Sequence, residues 1–329
     1  MAADTVASPD SPEPRLLIID TDPGVDDAMA ILMACRSPHV KLIGLTTVYG
    51  NVPTALATAN ALRLLERAGL EGVPVAQGAA RSLKAGTDVE RIADFVHGAD
   101  GFGDVGLPQP KGRAEECHAA EFLVRTIAAH PGRVTVLALA PLTNIAQALM
   151  LDPALGDKWA DLIILGGAFF VNGNVNPAAE ANIFGDPDAA DLVLGSTERL
   201  RILGLDVTQQ CRMTGAELEA LRGRGPHGSF VADISRFYLG YHREWYGMDA
   251  IFLHDPTAMA AVLRPDLFEW RRGAVRVASE GVTKGQTVLD ASAKGFHGHN
   301  GWEGWPRVQV ALGVAAEEVV GLITQLLTS

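Results

Sequence analysis

The sequence predicts an α/β fold: a single domain on an open, mostly parallel, doubly wound (Rossmann-like) sheet with helices on both faces. Three observations predict it. Apolar runs of strand length alternate with segments of helical period along most of the chain. Those runs are continuously apolar, the mark of strands covered on both sides. No internal repeat or low-complexity linker divides the 329 residues, of which 48% are hydrophobic.

In order, residues 16–20 (LLIID) read as a buried strand and 26–36 as a helix. A strand at 41–49 and a helix at 54–68 follow, then a short strand at 73–76. The glycine-rich stretch 98–110 reads as a long loop, of the kind that often carries function. Residues 121–129 form a helix, 134–138 a strand, 144–150 a helix, 162–165 a strand, 187–194 a helix and 200–205 a strand. The segment 215–263 reads as purely helical and rich in aromatics. Strands at 275–279 and 308–312 and a helix at 317–327 complete the domain, which spans 15–329. Residues 1–14, with three prolines, three acids and no basic residue, read as a disordered tail.

Charge narrows the function. Lys and Arg number 27 against 39 Asp and Glu, a formal net charge of −12. Affinity for nucleic acid or an anionic membrane needs a basic surplus, so neither partner is expected. No apolar stretch approaches the ~20 residues that span a bilayer. Cys35, Cys117 and Cys211 lie far apart without a CxxC pair, which argues against a disulfide framework or thiolate zinc site. A cytoplasmic protein acting on a small molecule is the expectation.

In parallel sheets of this kind the ligand lies beyond the carboxyl ends of the strands. There the first strand runs into Asp20-Thr21-Asp22-Pro23-Gly24-Val25-Asp26-Asp27, four carboxylates in eight residues. Preference for the positive end of the next helix explains Asp26 and Asp27 but not Asp20 and Asp22. A hard cation, which takes oxygen ligands, explains all four.

The run DTDPGVDDA at 20–28 strongly resembles the N-terminal signature of the inosine–uridine-type nucleoside hydrolases, calcium-dependent N-ribohydrolases. The resemblance extends from Arg15 through nearly the whole chain. Thr46-Thr47-Val48-Tyr49-Gly50-Asn51 is similar to the family's TTVxGN segment, Pro141-Leu142-Thr143-Asn144 to its PLTN turn, Glu180-Ala181-Asn182 to its ExN loop and His254-Asp255-Pro256 to its late HD pair. Two positions depart from the pattern. Ala140 replaces the glycine usual before PLTN, and Ala181 replaces an aromatic common in microbial members; plant-like members resemble this version more closely.

The resemblance implies that Asp22, Asp27, Asp255 and the backbone carbonyl of Leu139 hold Ca²⁺. It implies that Asp26, Asn51, Asn174, Glu180 and Asn182 contact the ribose, and that His97 lies near the nucleoside. Plain alternatives stand beside three of these. His97 reads equally as a loop histidine exposed to water, the amides of 172–176 suit turns, and Asp255 before Pro256 suits a helix N-cap. For Asp186-Pro187 the capping reading is kept.

The implied reaction is hydrolysis of ribonucleosides such as uridine, inosine or xanthosine to ribose and free base. Asp22 is the expected general base toward water, and His254 the expected acid at the departing base, as an imidazole titrating near physiological pH. A purine-specialised subgroup carries tryptophan where this chain has His254, so broader specificity is implied. Phe237, Tyr238, Tyr241, Trp245 and Tyr246 precede His254 and could stack on a base, though most are expected in the core. A homodimer or homotetramer is implied by the family.

Two rival readings remain. A haloacid-dehalogenase-type Mg²⁺ phosphohydrolase would use Asp20 as nucleophile and Gly185-Asp186-Pro187-Asp188 as its later acidic motif, leaving Asp26, Asp27, Asn182 and His254 unexplained. A non-enzymatic Ca²⁺-dependent ribose-binding protein would need no proton donor, which His254 argues against.

Overall fold

The computed structural model describes residues 13–84, 92–292, 294–295 and 297–329. Of the expected tail, 1–12 lie outside the described residues. The first half of the chain is β1 (Arg15–Thr21), α1 (Val25–Arg36), β2 (Val40–Thr47), α2 (Thr54–Ala68), β3 (Val75–Gln77), α3 (Asp94–His97), α4 (Ala119–Ala129), β4 (Val134–Ala138), α5 (Thr143–Leu151), α6 (Leu155–Lys158) and β5 (Asp161–Leu165). Next come α7 (Ala181–Gly185), α8 (Pro187–Leu194), β6 (Leu200–Leu203), α9 (Leu205–Thr208), β7 (Arg212–Thr214), α10 (Gly215–Ala220) and α11 (Gly228–Tyr246). The chain ends with β8 (Ala250–Phe252), α12 (His254–Leu263), β9 (Phe268–Val277), β10 (Thr287–Asp290), β11 (Arg307–Val314) and α13 (Ala316–Thr328).

Among the described residues nine strands form one sheet, ordered β10-β9-β11-β6-β5-β4-β1-β2-β3. From β3 to β11 every pairing is parallel; β9 runs antiparallel to both β11 and β10. Successive strands grow outward from β1 in one direction and from β4 in the other. The chain therefore reverses its winding between β1 and β4, where a doubly wound sheet opens its crevice.

Alternate strand residues feed two separate cores, because neighbouring side chains leave opposite faces of a sheet. Leu17, Ile19, Leu137, Ile163 and Leu165 join the core under α1, α2, α11, α12 and α13. Ile18, Val136, Ala138, Leu162 and Ile164 join the other, under α4, α5 and α8. Both faces are thus covered, as continuous apolar strands require.

The structure corrects the reading at several places. Residues 215–263 are not purely helical, since β8 interrupts them and pairs antiparallel with β7. The strand expected at 275–279 starts earlier, at Phe268, and β10 was not foreseen, so that edge of the sheet is antiparallel. The strand expected to reach Leu205 stops at Leu203, and Leu205 opens α9. The 98–110 stretch is a loop, tied by Asp100, whose carboxylate accepts the backbone N–H groups of Phe102, Asp104 and Gly106.

Candidate active site

The site starts where β1 hands over to α1. Asp22 follows the strand directly, and Asp26 and Asp27 occupy the first turn of the helix. Asp27 is fully buried and holds this corner together. Its Oδ2 accepts Gly24 N–H at 3.0 Å and the Asn51 side-chain amide at 2.9 Å, and its Oδ1 accepts the Thr21 hydroxyl. Asp22 Oδ2 accepts the backbone N–H of Asn51 at 2.6 Å. Asn51, expected to meet ribose, thus also ties two carboxylates of the cluster together.

Two glycines make this close approach possible. A Cβ on Gly24 would lie 2.7 Å from His97 Nδ1 and 2.8 Å from Asn51 Nδ2. One on Gly50 would lie 1.9 Å from Asp22 Oδ2.

Asp255 arrives from across the molecule. It lies in the first turn of α12, whose N-cap is Leu253, so the N-capping alternative is not what the fold uses. One carboxylate oxygen from each of Asp26, Asp27 and Asp255 lies within 4.8 Å of the others, all three residues buried. Such a group repels itself. Burial, then the charge of Asp27, pushes Asp26 up to about 8. Burial followed by Asp26, Asp27 and Asp22 raises Asp255 well above the usual carboxylate range, and burial followed by Asp27 does the same to Asp22. Hard oxygen donors packed this way suit a divalent cation. This trio contains Asp26, for which the resemblance implied a ribose contact, and not Asp22, which it implied as a metal ligand.

The remaining wall comes from β4, β5 and α7. Glu180 N-caps α7: its Oε1 accepts Asn182 N–H at 2.9 Å and its Oε2 accepts Ile183 and Gly167 N–H at 3.1 and 3.0 Å. Asn182 Nδ2 donates to the carbonyls of Leu139 at 2.8 Å and Leu165 at 3.3 Å. Asn174 Oδ1 accepts Ala181 N–H, while Asn176 serves the turn by accepting from Ala178 and Ala179. Of the alanines around Glu180, only Ala179 is buried; Ala178 and Ala181 are partly exposed.

These residues converge. One cavity is lined by Asp26, Asn51, His97, Leu139, Asn174, Glu180, Asn182, His254 and Asp255. Asp22 lines an adjoining one with Asn51 and Asn182, and Asp27 lies behind, bonded to Asn51. His97 is buried rather than a water-exposed loop residue: its Nδ1 accepts Val25 N–H at 3.2 Å and its ring stacks on Tyr238.

His254 opens α12, and its Nδ1 lies 2.8 Å from the Thr208 hydroxyl. Burial, with His242 and His97 nearby, pushes it down to about 3. The ring is therefore held neutral rather than titrating near physiological pH as its type suggested. Most of the aromatics expected in the core are elsewhere: Tyr241 and Tyr246 line the cavity, Trp245 is 69% exposed, and of the five only Tyr238, which also lines the cavity, is buried in the core. Sequence reading missed His242, which also lines the cavity, and Thr208. No local pattern marks either; their one signal is position, on the helix before the HD pair and just past a strand end.

Asp20 separates from the rest. Its Oδ1 accepts from Thr46 at 2.6 Å and Asn144 at 2.8 Å, its Oδ2 is buried without a partner among the described residues, and it lines neither cavity. Asp186 caps α8 by accepting Ala189 N–H, as expected of it, and Asp188 pairs with Lys84 at 2.7 Å. The acids that a phosphohydrolase would recruit are thus engaged elsewhere. Among the described residues no helix is long and apolar enough to cross a membrane.

A family model described as inosine-uridine preferring nucleoside hydrolase matches residues 17–321. The chain is 46% identical over 312 residues to a protein of Oryza sativa subsp. japonica named probable uridine nucleosidase 1, covering 94% of this chain and 96% of the relative. It is 48% identical over 305 residues to uridine nucleosidase 1 of Arabidopsis thaliana, covering 92% and 90%. Among solved structures, a plant nucleoside hydrolase, the PpNRh1 enzyme, superposes with a TM-score of 0.93 at 47% identity, covering 96% of this chain and 99% of that one.

Proposed function

The chain belongs to the inosine-uridine preferring nucleoside hydrolase family and is a nucleoside N-ribohydrolase, and from that premise we propose that it hydrolyses uridine, with inosine and xanthosine as further substrates, to ribose and free base. One observation carries the reading: Asp26, Asp255 and His254 face a single cavity, so a hydroxyl-binding acidic floor and a nitrogen donor bracket the same space. The uridine preference leans on the plant relatives named as uridine nucleosidases.

The buried carboxylates of Asp26, Asp27 and Asp255 fit a hard divalent cation; calcium is the choice, and the family resemblance adds Asp22 and the Leu139 carbonyl to the residues that would hold it. When bound, such a cation lowers the pKa of water and offers coordination to vicinal hydroxyls. Asp22 takes the proton of the attacking water. Asp26, Asn51, Asn174, Glu180 and Asn182 orient the ribose, the last two on a backbone already fixed by the Glu180 cap. Fixed donors and acceptors lower the barrier because they need no reorganisation as charge develops on the sugar. His254, held neutral, donates a hydrogen bond from its ring N–H to the departing base and so stabilises the negative charge it gathers. His97, whose Nδ1 accepts the Val25 N–H, walls the cavity beside Asp26 without bonding to it.

Incubating the protein with uridine, inosine and xanthosine in calcium, then separating the products by chromatography, tests this. Free uracil, hypoxanthine or xanthine is the expected product. Intact nucleosides would leave a ribose-binding protein, and sedimentation of the same sample tests the homo-oligomer that the family resemblance implies.

A further inference from the structure

We propose that Thr208 is the positioning residue for the hydrogen-bond donor to the departing base: its hydroxyl donates to His254 Nδ1 and so fixes the ring proton on Nε2, the nitrogen left for the cavity. The proposal rests on the reading of His254 as the donor to the departing base.

The chain path brings the two residues together. β6 stops at Leu203, and the single turn α9 ends on Thr208, fully buried behind the cavity wall formed by Leu203 and Leu205. His254 begins α12, and the two meet with Oγ1 and Nδ1 2.8 Å apart. A threonine late in a helical turn commonly returns its hydroxyl proton to the carbonyl four residues back. Here that carbonyl, Gly204, accepts the backbone N–H groups of Val207 and Thr208. Among the described residues His254 is the one partner of the Thr208 hydroxyl.

A buried hydroxyl proton needs an acceptor, and Nδ1 is the one in reach. An imidazole whose Nδ1 accepts carries its proton on Nε2. The opposite tautomer would turn a lone pair toward the base as it gathers negative charge, and would repel it. The hydroxyl therefore selects the tautomer able to donate. Thr208 is not among the residues that line the cavity, so its part is to orient.

Three variants decide it: Thr208→Val, which keeps the shape and loses the hydroxyl, Thr208→Ser, which keeps the hydroxyl, and His254→Ala. Each is assayed on uridine and on nitrophenyl riboside, whose phenolate leaves without a proton. Thr208→Val should lower kcat on uridine by about tenfold or more, with KM and the nitrophenyl riboside rate changed by less than about twofold. Thr208→Ser should restore most of the loss. Equal slowing of both substrates by Thr208→Val, or no slowing, overturns the assignment, while a selective His254→Ala keeps the donor reading. An unselective His254→Ala overturns both. Should Thr208→Val fail to fold, the nitrogen-15 spectrum of wild-type histidine settles it: the His254 proton on Nε2 supports the proposal, and on Nδ1 overturns it.

Discussion

The Oδ2 atom of Asp22 accepts the backbone N–H of Asn51 at 2.6 Å, joining the loop after β1 to the loop after β2. This one contact aims the proposed base. It exists because residue 50 has no side chain: the backbone between β2 and Asn51 passes so close that a Cβ would lie 1.9 Å from the same carboxylate oxygen. A φ of 156° at Gly50 adds a conformation that other residues rarely take.

Gly50→Ala should therefore displace Asp22 and strain the backbone together. The expected cost is roughly 1–3 kcal/mol of stability, with a larger proportional loss of turnover. Thermal melting and kcat measured on one preparation check it. A variant with wild-type melting temperature and turnover would show that the two loops can separate freely.

Asp22→Asn removes a charge and keeps the shape. The Asn51 N–H can still be accepted, but no proton can be taken from water. Turnover should fall by roughly 10²–10⁴. The metal-free variant should melt above the metal-free wild type, because burial and Asp27 both disfavour the Asp22 charge. If Asn at this position turned over at the normal rate, the base would lie elsewhere.

Asp20→Asn should behave in the opposite way, leaving turnover within a few-fold of wild type, since Asp20 lines no cavity. Burial pushes Asp20 from 3.8 up to about 7. A raised folded pKa means that its contribution is fully present below pH 3.8 and lost as pH rises through about 7. The wild type should lose stability across that window, by an amount on the order of 4 kcal/mol from this group. The Asn variant should lack that part of the slope in denaturant titrations at several pH values. A Mg²⁺ phosphohydrolase using Asp20 as nucleophile would instead lose all activity.

How much of this was legible before the fold follows from the range of each signal. Continuous apolar strands, the Asp20–Asp27 run and the Asp186-Pro187 cap are local patterns, and each lies where the sequence put it. What failed was long-range. Strand β10 is short and half-exposed, with no apolar run to announce it, and pairs with β9 opposite residues such as Arg276 that look like surface. The Thr208–His254 contact spans 46 positions and involves a residue type with no chemistry of its own. The aromatics of α11 show the converse. Their helical spacing suggested core, yet the helix packs at the cavity mouth, where Tyr241 and Tyr246 line open space. Within the acidic run the pattern also could not divide labour: Asp20 faces Thr46 and Asn144, whereas Asp26 and Asp27 meet Asp255.

The carboxylate cluster makes metal binding and pH one experiment. In the metal-free protein Asp26 is pushed up to about 8, and Asp22 and Asp255 are also raised, by burial and mutual repulsion. At neutral pH these groups must release protons before a cation can be held, so calcium affinity should climb as pH rises toward about 8. The same raised pKa values mean that the metal-free protein loses stability over that range, while the calcium form does not. Chelation should thus barely lower the melting temperature near pH 5 and lower it most near pH 8. A saturating cation at a hundred times its Kd contributes about 2.7 kcal/mol. Calorimetric titration in two buffers of different ionisation enthalpy reads the released protons directly. A melting temperature that responds to calcium equally at both pH values would place the cation away from Asp26 and Asp255. Full activity after exhaustive chelation, with no metal found by elemental analysis, would remove it from the reaction.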